Sequence, residues 1–326
     1  MSGSSLARIL LVVAVLAAAP LLTASNAVLN FLVVTLMIAL VAQGWNVLGG
    51  YGGQYSFGHA AFFGTAAYTT AILQVQYGIN AWLGLFAGIF AGSFVGAVIG
   101  ALCFRSGLRG SYFSLVTLAF AEVLRIVSSV TPITGAGVGT LIKLDLRPEA
   151  FQFQSRVPFY WIMLILVALS LVTVRAAENS RFGAYLVAIR ENEDAASALG
   201  INTFAVKLAA ITLSAAITAA AGCFYAQYFL FIDAAIAYGP WISIDALLAP
   251  IVGGAGTLFA SLLGALVIKA LGETTKLLTG DAPGLDLVIY GLLLIAVVGL
   301  APRGVAGVLT ALFRRPLRVQ RGDDNG

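Results

Sequence analysis

The chain alternates long apolar runs with short polar breaks, and nearly all of its charge sits in the breaks. Residues 9–104 contain no Asp, Glu, Lys or Arg, and further uncharged runs cover 157–174, 208–232, 246–268 and 287–302. A helical crossing of a bilayer needs about 20 residues, so the first stretch alone holds several. Lipid offers backbone groups no water partner, which leaves helices and closed barrels as the only spanning structures. The runs lack the strict two-residue alternation of a barrel strand. The pattern predicts an all-α integral membrane protein with spans at 8–24, 28–48, 59–77, 81–104, 112–130, 158–174 and 206–231.

Charge adds direction. Basic residues gather at Arg105 and Arg109, at Arg175, Arg181, Arg190 and Lys207, and at Arg303, Arg314, Arg315, Arg318 and Arg321. Segments rich in Lys and Arg stay cytoplasmic, and a cytoplasmic N-terminus satisfies the first two groups. One span over 244–271 followed by one at 286–302 would leave the third group outside. Splitting the former at Gly253, Gly254, Ala255 and Gly256 gives crossings at 243–253 and 257–271 and brings the tail back in. The expectation is about ten crossings with both termini cytoplasmic. A transmembrane domain fills 1–302, with a cytoplasmic loop at 175–207, a loop on the outer side at 131–157, and a basic cytoplasmic tail at 303–326. Arg8 and the following apolar run resemble a signal peptide, but in so apolar a chain they read as an uncleaved first span.

Composition supports the membrane assignment. Of 326 residues, 60% are hydrophobic and 10% charged, against about 25% charged in a soluble domain. The net charge of +4 follows from the basic breaks and needs no nucleic acid. Glycine, at 36 residues, suits close helix packing in lipid. Cys103 and Cys223 lie apart in apolar runs without metal-ligand spacing and read as core fillers.

Four places carry candidate chemistry. Between Gly49 and Gly53 stand four glycines in five positions, each costing a helix about 1 kcal/mol against Ala, so the helix is expected to break there. Polar Gln54, Tyr55, Ser56 and His59 follow. A second break, Gly253, Gly254 and Gly256, repeats the pattern, and paired breaks in two halves of a transporter point to a substrate path. Tight turns with close packing explain them as well. His59, the single histidine, is too little for a metal site and suits a structural hydrogen bond, a pH sensor or a donor to solute. Glu122 and Arg125 share one helix face within a predicted span that begins at Tyr112. They form either a neutralising packing pair or part of the path. Finally, Asn192 suits a helix N-cap, Glu193 and Asp194 its first turn, and Gly200 its end. The short stretch between, with Ala195 and Ala196, presents the small side chains that fit a partner's groove, or forms an ordinary amphipathic loop helix lying on the membrane surface. No phosphate-binding loop, zinc-protease or nucleophile-elbow motif is present, so no catalytic residue, metal or cofactor is assigned.

These residues resemble a known family. Asp194-Ala195-Ala196 with Gly200 is similar to the ATPase-docking loop of bacterial ABC importer permeases, with Asp in place of Glu and without the usual downstream Leu-Pro. Gly44-Trp45-Asn46 through Gly64, Leu108–Phe113 with Thr117–Phe120, and Arg190–Glu193 with Ala198–Gly200 resemble the M-type subunit of the branched-chain amino-acid permeases across about 25–305. The resemblance implies a type II-like permease in the bacterial inner membrane. Its partners would be a homologous H-type permease, two ATPases that bind ATP and Mg²⁺, and a periplasmic solute-binding protein. Leucine, isoleucine and valine are the implied substrates, with urea or short amides as alternatives. Two rivals need no such partners: an ion-coupled secondary transporter using Glu122, and an intramembrane enzyme using His59.

Overall fold

The computed structural model describes residues 3–22, 25–279 and 285–300, with Gly304 and Gly307. The tail expected at 303–326 therefore lies, those two glycines apart, outside the described residues. Thirteen α-helices occur among the described residues: α1 (Gly3–Leu22), α2 (Asn26–Trp45), α3 (His59–Tyr77), α4 (Ala81–Arg105), α5 (Gly110–Val130), α6 (Arg156–Glu178), α7 (Arg181–Glu191), α8 (Glu193–Ala198), α9 (Thr203–Phe229), α10 (Ala234–Ala237), α11 (Pro240–Gly253), α12 (Ala260–Thr279) and α13 (Leu285–Leu300). Among the described residues, six helical segments are long and apolar enough to cross a membrane: Asn26–Tyr51, Ala81–Arg105, Gly110–Val130, Arg156–Glu178, Thr203–Phe229 and Ala234–Gly253. A single two-stranded ladder, β1 (Thr140–Leu141) with β2 (Phe231–Ile232), is described among the helices.

The centre of the bundle is the mutual packing of α3, α4 and α9, with α2 running beside α9, α11 and α12. Its close approach is written in α4. Gly84, Gly88, Gly92, Gly96 and Gly100 recur every fourth residue along one face. A methyl group added at Gly92 would lie 2.6 Å from the Ala219 methyl and 2.9 Å from the Phe62 carbonyl oxygen. This is the small-residue packing that replaces the hydrophobic effect in lipid. The opposite face of α4 shows Phe86, Phe90 and Phe94 outward. Cys103 and Cys223 are buried, as expected of core fillers.

Side-chain contacts define two ends. At one end lie the turns 52–58, 106–109 and 254–259 with α7 and α8. At the other lie 78–80, 131–155 and 230–239. There, Asn80 and Trp82 bond to the carbonyls of Glu149 and Pro148, and Trp82 stacks on Phe151 at 4.3 Å. The split expected at Gly253–Gly256 is present: α11 ends at Gly253 and α12 packs back against it from Ala260. Gly304 stands against Gly254 and so belongs to the α8 end.

Two expectations need correction. Gly49 and Gly50 do not stop the helix: α2 continues through a π-helical turn, Asn46–Tyr51, and ends after it. The wide turn leaves room for the Trp45 ring to cover Gly49. The amides of Gly53 and Gln54 bond back to the Gly49 and Leu48 carbonyls (3.1 and 3.0 Å) and close it. The segment 175–207 is likewise not a loop with one short helix. α6 runs on to Glu178, closed by Arg175–Glu178 at 2.6 Å, and α7 fills 181–191.

Candidate functional site

The α8 helix is short, and its ends are made by its own sequence. Asn192 Oδ1 accepts the Ala195 amide (3.0 Å) at the start. Gly200 takes the left-handed conformation at the end (φ 85°). The amides of Gly200 and Ile201 then reach the carbonyls of Ser197 and Ala196 (2.9 and 3.1 Å), a Schellman closure. Acidic side chains tie the helix to the body. Glu193 meets Lys207 of α9 at 2.5 Å and Arg109, before α5, at 3.4 Å, while Asp194 meets Arg109 at 2.9 Å. Lys207 is 4% exposed and also lies over the Phe104 ring at 4.9 Å. The hydrogen bond that Arg109 donates to the Asp194 carboxylate, with the Glu193 charge behind it, raises the pKa of the guanidinium above its ordinary value.

Beyond Asp194, which is exposed beside Arg109, what α8 leaves outward is small or apolar: Ala195, Ser197 and Ala198 are exposed, Leu199 is 83% exposed, and nothing stands near Gly200. Ala196 differs. It is buried, so of the expected small face it supplies packing inside the chain and no outward surface.

One turn away, Arg190 joins α7 to the first glycine break. Its Nη1 donates to the Gly50 carbonyl at 3.0 Å, and its aliphatic stem covers Gly53, where a methyl would lie 2.7 Å from Cγ. The same Gly50 faces the second break: a methyl on Gly50 would come within 2.6 Å of the Gly256 amide nitrogen. Asn46 clasps the two breaks together. Its Oδ1 accepts the Gly256 amide (2.8 Å), and its Nδ2 donates to the Thr257 carbonyl (2.9 Å). Gln43 adds a bond to the Leu258 carbonyl (3.3 Å). Gly256 has φ 79° and Gly254 has φ 110°, a backbone that side chains rarely adopt. The two breaks, about 200 residues apart in sequence, thus meet at the α8 end, bridged by Asn46, while Arg190 from the helix before α8 bonds to the first of them.

The polar residues after the first break are bonded locally. The Ser56 carbonyl accepts Trp45 Nε1 (2.9 Å), Ser114 Oγ donates to the Tyr55 carbonyl (2.5 Å), and Gln54 Nε2 donates to Gly52 (3.3 Å). His59 is fully buried, with Nε2 at 2.9 Å from Ser214 Oγ. Tyr112 is 73% exposed at the start of α5. Glu122 and Arg125 bond through two contacts, 2.9 and 2.5 Å, on the same broad outward side of α5, where Leu115, Leu118, Val123 and Ile126 are also exposed. Neither His59 nor this pair joins the Asn46–Arg190 cluster.

Sequence reasoning singled out Gly253, Gly254 and Gly256 but gave no separate role to Asn46, Arg190, Arg109 or Lys207. The signal available for Asn46 was an amide side chain three residues before a glycine break, inside a run of 96 uncharged residues. That for Arg190 was a basic residue two positions before a helix cap. Among the described residues, no group of three or more metal-ligating side chains occurs.

Comparison with known proteins places these residues among transport permeases. Residues 27–298 match the family described as "Branched-chain amino acid transport system / permease component". The chain is 29% identical to the high-affinity branched-chain amino acid transport system permease protein LivM of Escherichia coli, over 99% of this chain and 80% of that protein. It is 27% identical to the protein of the same name from Salmonella typhimurium, over 90% and 72%. The galactofuranose transporter permease protein YtfT of E. coli is 26% identical over 59% of this chain and 60% of its own length. No solved structure matches.

Proposed function

We propose, for a chain that belongs to the permease-component family of branched-chain amino acid transport systems, that it is one of two membrane halves of an ATP-driven importer. The observation that carries this is the anchored α8: an exposed surface of Ala195, Ser197, Ala198, Leu199 and Gly200, held by three ion pairs and linked through Arg190 to the first glycine break and from there, through Asn46, to the second. A free-standing transporter has no use for such a surface, whereas a separate ATPase needs one. Seated in a groove of that ATPase, α8 would move as the nucleotide sites close. Arg190 would pass the movement to Gly50 and, through Asn46, to the α11–α12 turn. ATP and Mg²⁺ would be bound by the partner.

With α1, α3, α12 and α13 added to the six apolar segments, the chain would cross the membrane ten times, with both termini and α8 in the cytoplasm of a bacterium. The outward side of α5, with Tyr112, Glu122 and Arg125, would meet the homologous permease and line the path between them. A charged pair in mid-span is costly against lipid, which favours a wet or protein-covered position. The segment 131–155 would face the periplasm, where exposed Val138, Leu141 and Leu144 suit contact with a solute-binding protein. Aliphatic amino acids are the substrates we assign, supported by the names of the two long-aligned relatives.

Affinity purification of the membrane-embedded chain with its co-expressed ATPase tests the docking role. Ala198→Trp with Leu199→Asp alters only exposed positions and should abolish co-purification while leaving insertion intact. Full retention of the ATPase would refute docking through α8.

A further inference from the structure

At the end opposite α8, the bundle holds a cavity of about 750 Å³ between the first turns of α2, the start of α6, α11 and the second half of α12. Its wall carries both signs of charge. Asp245 of α11 and Lys269 of α12 pair across it at 2.7 Å, with the Asp245 side chain only 12% exposed. Around them stand Arg156, Lys276 and Glu273, so the lining has three cations and two anions. Between these groups, Phe31, Trp241 and Ile268 give it an apolar side. Asn30, also in the wall, is fixed by the Tyr228 hydroxyl at 2.7 Å.

Ionisable groups within a membrane bundle are expensive and mark functional positions by default. A packing pair would be closed over by apolar side chains, whereas Asp245 and Lys269 line an open space. The combination of paired opposite charges and an apolar flank complements a particular chemistry. A pure anion would meet Asp245 and Glu273, a pure cation would meet three positive groups, and an uncharged apolar ligand would strip solvent from all five. We infer that this cavity is a binding site for a zwitterion with an apolar body. The anionic end would face Lys269 and Arg156, the ammonium would face Asp245, and the aliphatic part would lie on Phe31, Trp241 and Ile268. Two sources supply that chemistry, a free aliphatic α-amino acid or the headgroup of an aminophospholipid. The free amino acid rests on the importer reading, in which the site would receive solute at the periplasmic end. The site itself rests on the lining.

The test uses the full permease pair in nanodiscs of phosphatidylglycerol, without ATP or binding protein, so that it stands apart from uptake. One arm measures equilibrium binding of radiolabelled leucine. The other measures retention of phosphatidylethanolamine by native mass spectrometry after mixed-lipid reconstitution. Asp245→Asn with Lys269→Met removes both charges together and leaves no orphan in the wall. Lys276→Gln changes an exposed rim residue without touching the pair. The double variant should weaken binding of one probe about tenfold or more, and the rim variant should weaken the same probe several-fold. Loss in the leucine arm assigns the free amino acid, and loss in the lipid arm assigns the headgroup. Wild-type permease that holds neither probe, or double variants that bind as well as wild type, would overturn the inference even if ATP-driven uptake proceeds.

Discussion

Single residues in this chain act through what they touch at a distance in sequence. Arg190 is the clearest: one guanidinium bond to a glycine carbonyl 140 positions away, with its stem on Gly53. Arg190→Ala should leave insertion and ATPase binding intact but break the link to the first break. Uptake should fall about tenfold or more relative to ATP hydrolysis, read as moles transported per ATP, in line with the weight of a charge-assisted bond. An unchanged ratio would show that the link is not used. The Glu122–Arg125 pair makes a different forecast. Removing one partner strands a charge, whereas removing both does not. Glu122→Gln should therefore lower the membrane yield several-fold, and adding Arg125→Gln should restore much of it. Equal yields for the two variants would mark the pair as dispensable for assembly.

At the scale of elements, the sequence announced the helices and hid their meeting places. Runs without charge located the long helices, and Asn192 with Gly200 bracketed α8 closely, because caps and apolar length are local properties. The continuation of α2 through Gly49 and Gly50 was not legible. Helix propensity counts against it, and it is held by Trp45, Arg190 and the 256–257 backbone, which are tertiary contacts. The burial of Ala196 was equally hidden, since a six-residue helix shows no periodicity long enough to orient it. The meeting of the two breaks depends on Asn46, and no spacing rule joins residues 46 and 256. The glycine face of α4 was readable in principle as a four-residue repeat and carries a forecast of its own. Gly92→Leu would drive a side chain into Ala219 and Phe62, and overpacking costs about 1–3 kcal/mol or more. The variant should melt several degrees lower in detergent by a tryptophan-fluorescence scan. An unchanged melting temperature would mean that α4 and α9 can separate at no cost.

The whole molecule places its two devices at opposite ends. The anchored α8 and the joined glycine breaks lie at one end, and the charged cavity and the 131–155 segment at the other. The bundle between them is closely packed by small residues on α4 and α9, so movement at one end has few soft contacts in which to dissipate. An importer needs this polarity: energy delivered at the cytoplasmic end and solute received at the outer one. The direct test is leucine uptake into proteoliposomes that hold this chain, its homologous permease, the two ATPases and a loaded binding protein. ATP-driven import predicts uptake that disappears when either ATP or the binding protein is omitted. Uptake by this chain alone under an ion gradient, with neither component present, would contradict it.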